Sequence, residues 1–109
     1  MDEAILLYTT WPDAETATAA GAAAVDQGLA ACANVFAPIT SIYRWKGQIE
    51  RASETPMTFK TTTARAEALR RLILERHPYE LPCILALPVA AAASHPPFLA
   101  WIAAETAVG

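Results

Sequence analysis

The chain has 109 residues, a size that fits one compact domain, and we expect that domain to span residues 1–109. Hydrophobic residues make up 54% of the chain and its mean hydropathy is +0.25, which is more apolar material than one small domain can bury. We therefore expect another copy of the chain to cover the surplus. The net charge of −3 and the scattered basic residues exclude a phosphate-tracking stripe for nucleic acid and a polybasic patch for a membrane.

The predicted compartment is the cytoplasm. The longest apolar run, residues 84–93, is interrupted by Pro88 and is far shorter than the ~18 to 20 residues that cross a bilayer. The chain starts with an acidic segment rather than with the basic leader of a secreted protein. Its two cysteines, Cys32 and Cys83, have no C-x-x-C spacing, so we expect free thiols in a reducing compartment.

The first part of the chain predicts a strand and then a helix. Residues 4–10, AILLYTT, form an apolar run closed by threonines, which indicates a strand buried on both faces. Asp13 is the predicted N-cap of the helix that follows, and Gly28 is its predicted stop. Four small or branched apolar side chains would share the face of this helix that lies against a sheet: Ala17, Ala20, Ala24 and Val25.

Residues 33–61 predict a long antiparallel ribbon of two strands. The strand period of two is clearest in residues 41–46, SIYRWK. Lys46 and Gly47 supply the turn, since glycine tolerates positive φ. Because each arm is much longer than the ~5 to 6 residues of an average strand, we expect the ribbon tip to leave its own domain and pack against another subunit. Pro56 in the return arm predicts a bulge or an edge position.

The remaining chain predicts a helix over residues 63–77, a central apolar strand over residues 83–89 and a third helix near the end. Three side chains of the third helix would face inward: Phe98, Trp101 and Ile102. The order is strand, helix, strand, strand, helix, strand and a final helix. It predicts an α+β protein of the ferredoxin-like, split βαβ kind, with two helices on one face of a four-stranded antiparallel sheet.

Three side chains are candidate metal ligands: Cys32, His77 and Cys83. His77 and Cys83 open and close the heptapeptide HPYELPC, residues 77–83. A zinc-type site needs three or four converging nitrogen, sulfur or carboxylate ligands, often in closely spaced pairs, and this spacing matches poorly. The alternative interpretation is structural. A histidine at the carboxyl end of a helix is favoured by the helix dipole, and free cysteines among apolar residues are usually buried.

Motifs for catalysis are missing from the sequence. It contains no G-x-S-x-G, Walker A or G-x-G-x-x-G pattern, and its four glycines do not form a phosphate-binding loop. We therefore predict no catalytic residue and no organic cofactor.

Several segments form a specific pattern in order and spacing: LAACANV (29–35), SIYRWKGQIE (41–50) with Glu54, FKTT (59–62), and HPYELP (77–82) followed by LALPV and FLAWI. Together they resemble the CutA family of divalent-cation tolerance proteins over residues 5–102. The Y-x-W-x-G hairpin and the H-P-Y-E-x-P corner are the most specific parts of this resemblance.

The resemblance implies a ferredoxin-like subunit in a tight homotrimer, similar to PII-type signalling trimers, in which long hairpins pack between neighbours. It also implies tolerance of copper and other divalent ions without an established catalytic activity. In such a trimer a cleft for a metal ion or small anion would lie at a subunit boundary. Its side chains would be Glu54, Lys60, His77, Tyr79 and Glu80.

The chain departs from the family pattern at two places. Many relatives have a glutamate where this chain has Cys83, and some bacterial relatives have a cysteine where it has Thr9 or Thr10. Cys83 is either a softer ligand that favours Cu(I) or a small apolar filler of the core.

Three functional hypotheses remain at this stage. The first is a trimeric, non-enzymatic ion-tolerance or ligand-sensing protein that binds copper or another divalent cation. The second is an enzyme with its pocket between subunits, in which Glu54 or His77 acts as a general base and Lys60 supplies charge. The third is a stable scaffold that binds other proteins through its exposed helices.

Overall fold

The computed structural model describes residues 3–108, so Met1 and Asp2 of the acidic start lie outside the described residues. The elements in chain order are β1 (Ala4–Trp11), α1 (Ala14–Asp26), β2 (Cys32–Val35), β3 (Ile39–Trp45), β4 (Gln48–Thr62), α2 (Ala66–Arg76), β5 (Ile84–Pro88), a 3-10 helix (Ala91–Ala93) and α3 (Pro96–Glu105). This order confirms the predicted ferredoxin-like α+β fold. No helix in the described part of the chain is both long and apolar enough to cross a membrane.

Helix α1 begins and ends where the local sequence predicts. The Asp13 carboxylate accepts a hydrogen bond from the Thr16 N–H at 2.8 Å, which satisfies a free donor of the first turn and lowers the pKa of Asp13. Gly28 follows the helix with a left-handed φ of +70°. The three alanines predicted to lie against the sheet are buried. Val25 is exposed instead, because it stands about 100° around the helix from Ala24.

The sheet is antiparallel, with the order β2-β4-β1-β5 and with β3 paired to the outer part of β4. Residues opposite each other in register share a face, and successive residues of one strand alternate between faces. Leu7 of β1 lies opposite Phe59 of β4, and both are buried beneath α1 and α2. The face of the sheet that α1 and α2 cover is the first face. Met57 also points to it and is fully buried. The hydrophobic core therefore lies between the first face and the two helices.

The second face of the sheet is largely uncovered in the single chain. Leu6 and Leu87 are paired on it, as are Tyr8 and Leu85, and Leu85 is 60% exposed. Strand β5 lies at an edge of the sheet, so the prediction that it is central is wrong. Its apolar residues point partly to this open face rather than to a second layer of the same chain. For the same reason β1 is fully buried on the first face, whereas Ala4, Leu6 and Tyr8 on the second face are only half-buried.

Helix α3 covers only one end of the second face. The Thr106 hydroxyl lies 3.3 Å from that of Thr62 on β4, and Ile102 is buried beside it. Phe98 and Trp101, which were predicted to face inward, are substantially exposed. The single chain has no further layer on this side against which those two rings can pack.

The predicted ribbon is interrupted in its first arm. Strands β2 and β3 both pair with β4 but are separated by residues 36–38. Pro56 of β4 lies opposite this gap, where its carbonyl accepts a 2.9 Å hydrogen bond from the Phe36 N–H. Since the nitrogen of a strand residue faces the same side as its carbonyl, the missing N–H of Pro56 faces the gap. The register with β1 runs through Pro56 without a shift, so the proline occupies a local edge and not a bulge.

The ribbon ends in a tight turn at Lys46 and Gly47. Both residues have positive φ, +49° and +82°, which is the geometry of a type I′ turn. Ile42 and Ile49 near the tip are 63% and 61% exposed. That the tip packs against another subunit stays a prediction.

Candidate functional site

A cavity of about 640 Å³ lies where the ribbon and the end of β1 meet the segment that follows α2. The segment contributes Tyr79, Glu80, Leu81 and Cys83. The strands contribute chiefly Tyr8, Thr10, Tyr43, Arg44, Trp45 and Glu54. A cavity of this volume fits a small ligand. It opens on the second face of the sheet. Tyr8 and Thr10 point to that face, Pro56 lies opposite Thr10, and Glu54, two residues from Pro56 on β4, points to the same side.

Glu54 and Tyr79 form the polar centre of the cavity. Glu54 is half-buried and belongs to β4, whereas Tyr79 comes from the segment after α2. Burial raises the pKa of the Tyr79 hydroxyl, and the negative charge of Glu54 raises it further. Tyr79 therefore stays protonated at neutral pH and presents an O–H donor beside a carboxylate. Glu80 lies on the same wall and adds a second carboxylate.

His77 holds this wall of the cavity in place. The ring is buried, and its Nε2–H donates to the Thr10 carbonyl at 2.7 Å. Its Nδ1 accepts a hydrogen bond from the Tyr79 N–H at 3.2 Å. The ring also stacks on that of Trp11, with 4.4 Å between centroids. Both ring nitrogens are occupied in this arrangement, so His77 has no free lone pair to offer a metal ion.

Cys83 lines the cavity and is half-buried. Burial raises the pKa of this thiol, the Thr10 side chain lowers it in part, and the charge of Glu54 adds to the rise. The thiolate is the form that attacks electrophiles and binds metals. The raised pKa therefore lowers the thiolate fraction of Cys83 at neutral pH relative to that of an ordinary exposed thiol.

The three predicted metal ligands do not converge within one chain. Cys32 belongs to β2 at one edge of the sheet, and Cys83 directly precedes β5 at the other edge. Three strand spacings, about 14 Å, separate these edges before any offset along the strands is added. Among residues 3–108, no three His, Cys, Asp or Glu side chains lie close enough to hold a metal ion.

The five residues predicted for the polar cleft are only partly brought together, and one of them, His77, is buried outside the cavity lining. Glu54, Tyr79 and Glu80 line the cavity. Lys60 stands six residues from Glu54 on the same strand, about 20 Å along it, and its ammonium group lies over the Phe98 ring instead. One chain therefore supplies the acidic part of the predicted cleft without its lysine.

The ribbon supplies lining residues that the sequence pattern did not assign to the site. The sequence predicts that the ribbon tip, which carries Tyr43 and Trp45, packs against another subunit, and it offers Arg44 only as an ion-pair partner for a glutamate of the ribbon. The available signal was the strand period, which places Tyr43 and Trp45 on one face of β3. Their place in the cavity depends on the segment after α2, which lies more than thirty residues further along the sequence.

Comparison with known proteins gives the family of the chain. The sequence model of the family described as "CutA1 divalent ion tolerance protein" matches residues 5–105. The chain belongs to this family. The mouse protein named Protein CutA is 41% identical over 95 residues, which are 87% of this chain and 52% of the mouse protein. The chain thus spans about half the length of that relative.

Solved structures agree in fold over nearly the whole chain. The crystal structure of the stable protein CutA1 from the psychrotrophic bacterium Shewanella sp. SIB1 superposes with a TM-score of 0.92 at 35% identity, and covers 97% of each chain. A second match is described as the periplasmic divalent cation tolerance protein CutA from Archaeoglobus fulgidus. It has a TM-score of 0.89 at 34% identity and covers 94% of this chain and 98% of its own.

Replacement of His77 by alanine tests its structural role. The change removes two hydrogen bonds and a buried ring that stacks on Trp11, so we expect the free energy of unfolding to fall by about 2 to 4 kcal/mol. Urea denaturation measures this loss. The matched control is His95→Ala, since His95 is exposed and makes no capping hydrogen bond through its side chain. Equal stability of the two variants would contradict the structural role of His77.

The pH dependence of Cys83 alkylation tests the electrostatics of the cavity. Because the pKa of Cys83 is raised, we expect its reaction with iodoacetamide to require a higher pH than that of an ordinary exposed thiol. The Glu54→Gln variant removes the nearby negative charge and should shift the profile back toward lower pH. Peptide-resolved mass spectrometry separates Cys83 from Cys32. The control is Glu75→Gln, an exposed carboxylate of α2, and identical profiles for the two variants would show that Glu54 exerts no field at Cys83.

Proposed function

We propose that this chain works as a homotrimer that confers tolerance of divalent cations by binding copper, another divalent ion or a small ligand at subunit boundaries. It acts in the cytoplasm, in a sensing or homeostatic role and without catalysis. The observation that carries the proposal is the uncovered second face of the sheet in a chain of the CutA1 family.

The composition of the second face supports association with another copy of the chain. Leu85 and Leu87 of β5 are exposed there beside the half-buried Leu6 and Tyr8. Phe36, at the gap between β2 and β3, adds a ring that is 49% exposed. A contiguous apolar surface of this kind in a small protein usually marks an interface. The polypeptide has more apolar surface than its two-helix layer can cover.

The ribbon supports the same conclusion from a different part of the chain. A two-stranded ribbon without a covering layer is marginally stable in water. Ile42 and Ile49 point to one side of this ribbon and are among the most exposed large apolar residues described. A neighbouring subunit would cover them. The number of three subunits rests on the resemblance of the hairpin and corner motifs to the CutA pattern.

The ion site is best placed between chains. Since no three donors converge within residues 3–108 of one chain, one chain alone offers too few ligands for a tight site. Of the three predicted ligands, His77 has both nitrogens occupied, and the raised pKa of Cys83 disfavours its thiolate form. Cys32 is the most available one. Its thiol makes only a long contact, 4.0 Å, with the Asn34 side-chain oxygen.

The remaining parts of the proposal have separate support. The descriptions of the family and its relatives name ion tolerance and no catalytic activity. Cys32 and Cys83 are free thiols in the structure, which suits a reducing cytoplasm.

A charge on the open face of the sheet tests the trimer. We expect multi-angle light scattering of the unmodified chain to give three times the 11.7-kDa mass of one chain. Leu85→Arg should dissociate the trimer. Leu85 is exposed in a single chain, so its replacement should change the stability of one chain little, but in the trimer the arginine would bury a charge in the interface.

The matched control for this test is Leu74→Arg. Leu74 is 51% exposed on α2, on the opposite side of the sheet from Leu85. This variant should keep the mass of the unmodified protein. A monomeric unmodified chain, or equal masses for the two variants, would contradict the proposed interface.

Copper titration tests the ion site. We expect calorimetry with copper(II) to show affinity about tenfold or more weaker for Cys32→Ser than for the unmodified trimer, a difference of at least ~1.4 kcal/mol. The matched substitution Cys83→Ser should have a smaller effect on the isotherm, because the raised pKa of Cys83 disfavours the thiolate that binds copper. Identical isotherms for all three proteins would remove both cysteines from any copper site.

A further inference from the structure

We propose that His77 makes the segment after α2 sensitive to pH. The neutral imidazole ring holds this segment, residues 78–83, against the end of β1, and protonation of the ring releases it. The proposal goes beyond the proposed function, because it concerns regulation within the chain and not an ion bound between chains. It rests on hydrogen bonds and a ring stack inside one chain, so it does not depend on how a second copy covers the open face of the sheet.

The two hydrogen bonds of the His77 ring require its neutral form. Nε2 lies 2.7 Å from the Thr10 carbonyl oxygen, which can only accept, so Nε2 carries the proton. Nδ1 lies 3.2 Å from the Tyr79 backbone nitrogen, whose N–H can only donate, so Nδ1 offers its lone pair. A neutral imidazole has one donor and one acceptor nitrogen, whereas an imidazolium has two donors. The contacts of the ring therefore fit one of its two protonation states.

Protonation acts on only one of the two hydrogen bonds. It leaves the bond from Nε2 to Thr10 intact, but it turns Nδ1 into a donor that faces the Tyr79 N–H. The ring is 8% exposed and stacks on Trp11, so little water is available to satisfy the two opposed donors. The ring stays on β1, and the backbone at Tyr79 moves away from it. Release is thereby confined to the segment after α2.

The charged and titratable groups around the ring act in both directions. The neighbouring β1 residues, Thr10 and Trp11, are neutral, and within residues 3–108 the ring forms no ion pair with a carboxylate. The Tyr79 ring contacts His77 at 4.6 Å between centroids. Other elements bring further titratable groups close to Tyr79 or to the ring: Asp13 at the start of α1, Tyr43 of β3, Glu54 of β4, Arg76 at the end of α2, and Glu80 of the segment itself.

The direction of the pH effect follows from this balance. The negative charges of Asp13 and Glu54 and the carboxyl end of α2 stabilise an imidazolium, whereas burial and the Tyr79 N–H oppose it. Opening of the segment removes the opposing N–H and lets water reach the ring. The closed state therefore binds fewer protons than the open state, so a fall in pH favours the open state. Histidine is the side chain whose charge ordinarily changes between about pH 5 and 8, so the effect falls in that range.

The experiment is nuclear magnetic resonance of the unmodified protein from pH 8 to pH 5, with EDTA present so that no metal ion contributes. At pH 8 we expect the ring nitrogens of His77 to show the tautomer with the proton on Nε2. As the ring becomes protonated, exchange of the Tyr79 amide, corrected for its intrinsic pH dependence, should become about tenfold faster or more, because one hydrogen bond is lost. Amides of β1 should keep their protection.

Two outcomes of this series would overturn the proposal without any variant. One is a His77 ring that stays neutral down to pH 5. The other is a ring that becomes protonated while the corrected exchange of the Tyr79 amide stays constant.

Substitution of the histidine separates titration from a merely structural role. The side-chain oxygen of asparagine can accept from the Tyr79 N–H but does not titrate, so His77→Asn should remove the pH dependence of Tyr79 exchange. The matched control is His95→Asn, since His95 is exposed and makes no capping hydrogen bond through its side chain. This variant should keep the pH dependence of the unmodified protein. The same pH dependence in both variants would overturn the role of His77, and circular dichroism checks that both are folded.

The outcomes are separate from those of the proposed function. A trimer that binds copper through Cys32 but shows constant Tyr79 protection overturns this inference alone. A monomer in light scattering, or copper binding that ignores Cys32, overturns the corresponding part of the proposed function. The pH series still decides the inference in that case, because its hydrogen bonds lie within one chain.

Discussion

The structure depends on one constraint: a sheet has two faces, and this chain covers only one of them. Helices α1 and α2 bury Leu7, Met57 and Phe59 on the first face. On the second face, α3 reaches only the end near Thr62, and the rest carries apolar side chains into solvent. Surface of this kind is stabilised when a partner covers it. The ribbon adds to the same requirement, because its two strands have no covering layer in the single chain.

The cavity is a consequence of how the second face ends. Beyond Pro56 the sheet continues as the ribbon, and the segment after α2 turns up beside it. His77 fixes that turn by donating to the Thr10 carbonyl, accepting from the Tyr79 N–H and stacking on Trp11. Tyr79 and Glu80 are thereby held across from Glu54. The histidine acts as a positioning residue for one wall, and the acidic and aromatic groups that it positions define the chemistry of the cavity.

Much of the fold could be predicted because its signals are local. The Asp13 cap, the turn at Lys46 and Gly47 and the period of the ribbon each depend on a few neighbouring residues. The whole order of elements followed from such local signals, and the family resemblance implied the same fold. The edge position of β5 was missed because the sequence of an apolar strand has the same pattern whether a layer of its own chain or another subunit covers the strand.

The site could be predicted only in part, because its contacts join distant parts of the sequence. His77 and Thr10 are 67 residues apart, and nothing near His77 indicates that both of its nitrogens are used. Glu54 and Tyr79, which were assigned to one cleft through the family pattern, line the same cavity in the structure, and their role there stays a prediction. Lys60 was nominated with them, although six residues of extended strand keep it away from Glu54 in one chain.

Hydrogen–deuterium exchange of the ribbon tests the central claim, that another copy covers the second face and the ribbon. Peptides from β3 and the outer part of β4 should exchange as slowly as peptides from the central strand β1, because a covering subunit stabilises their hydrogen bonds. Exchange of the ribbon within seconds, while β1 stays protected at the same protein concentration, would contradict the account.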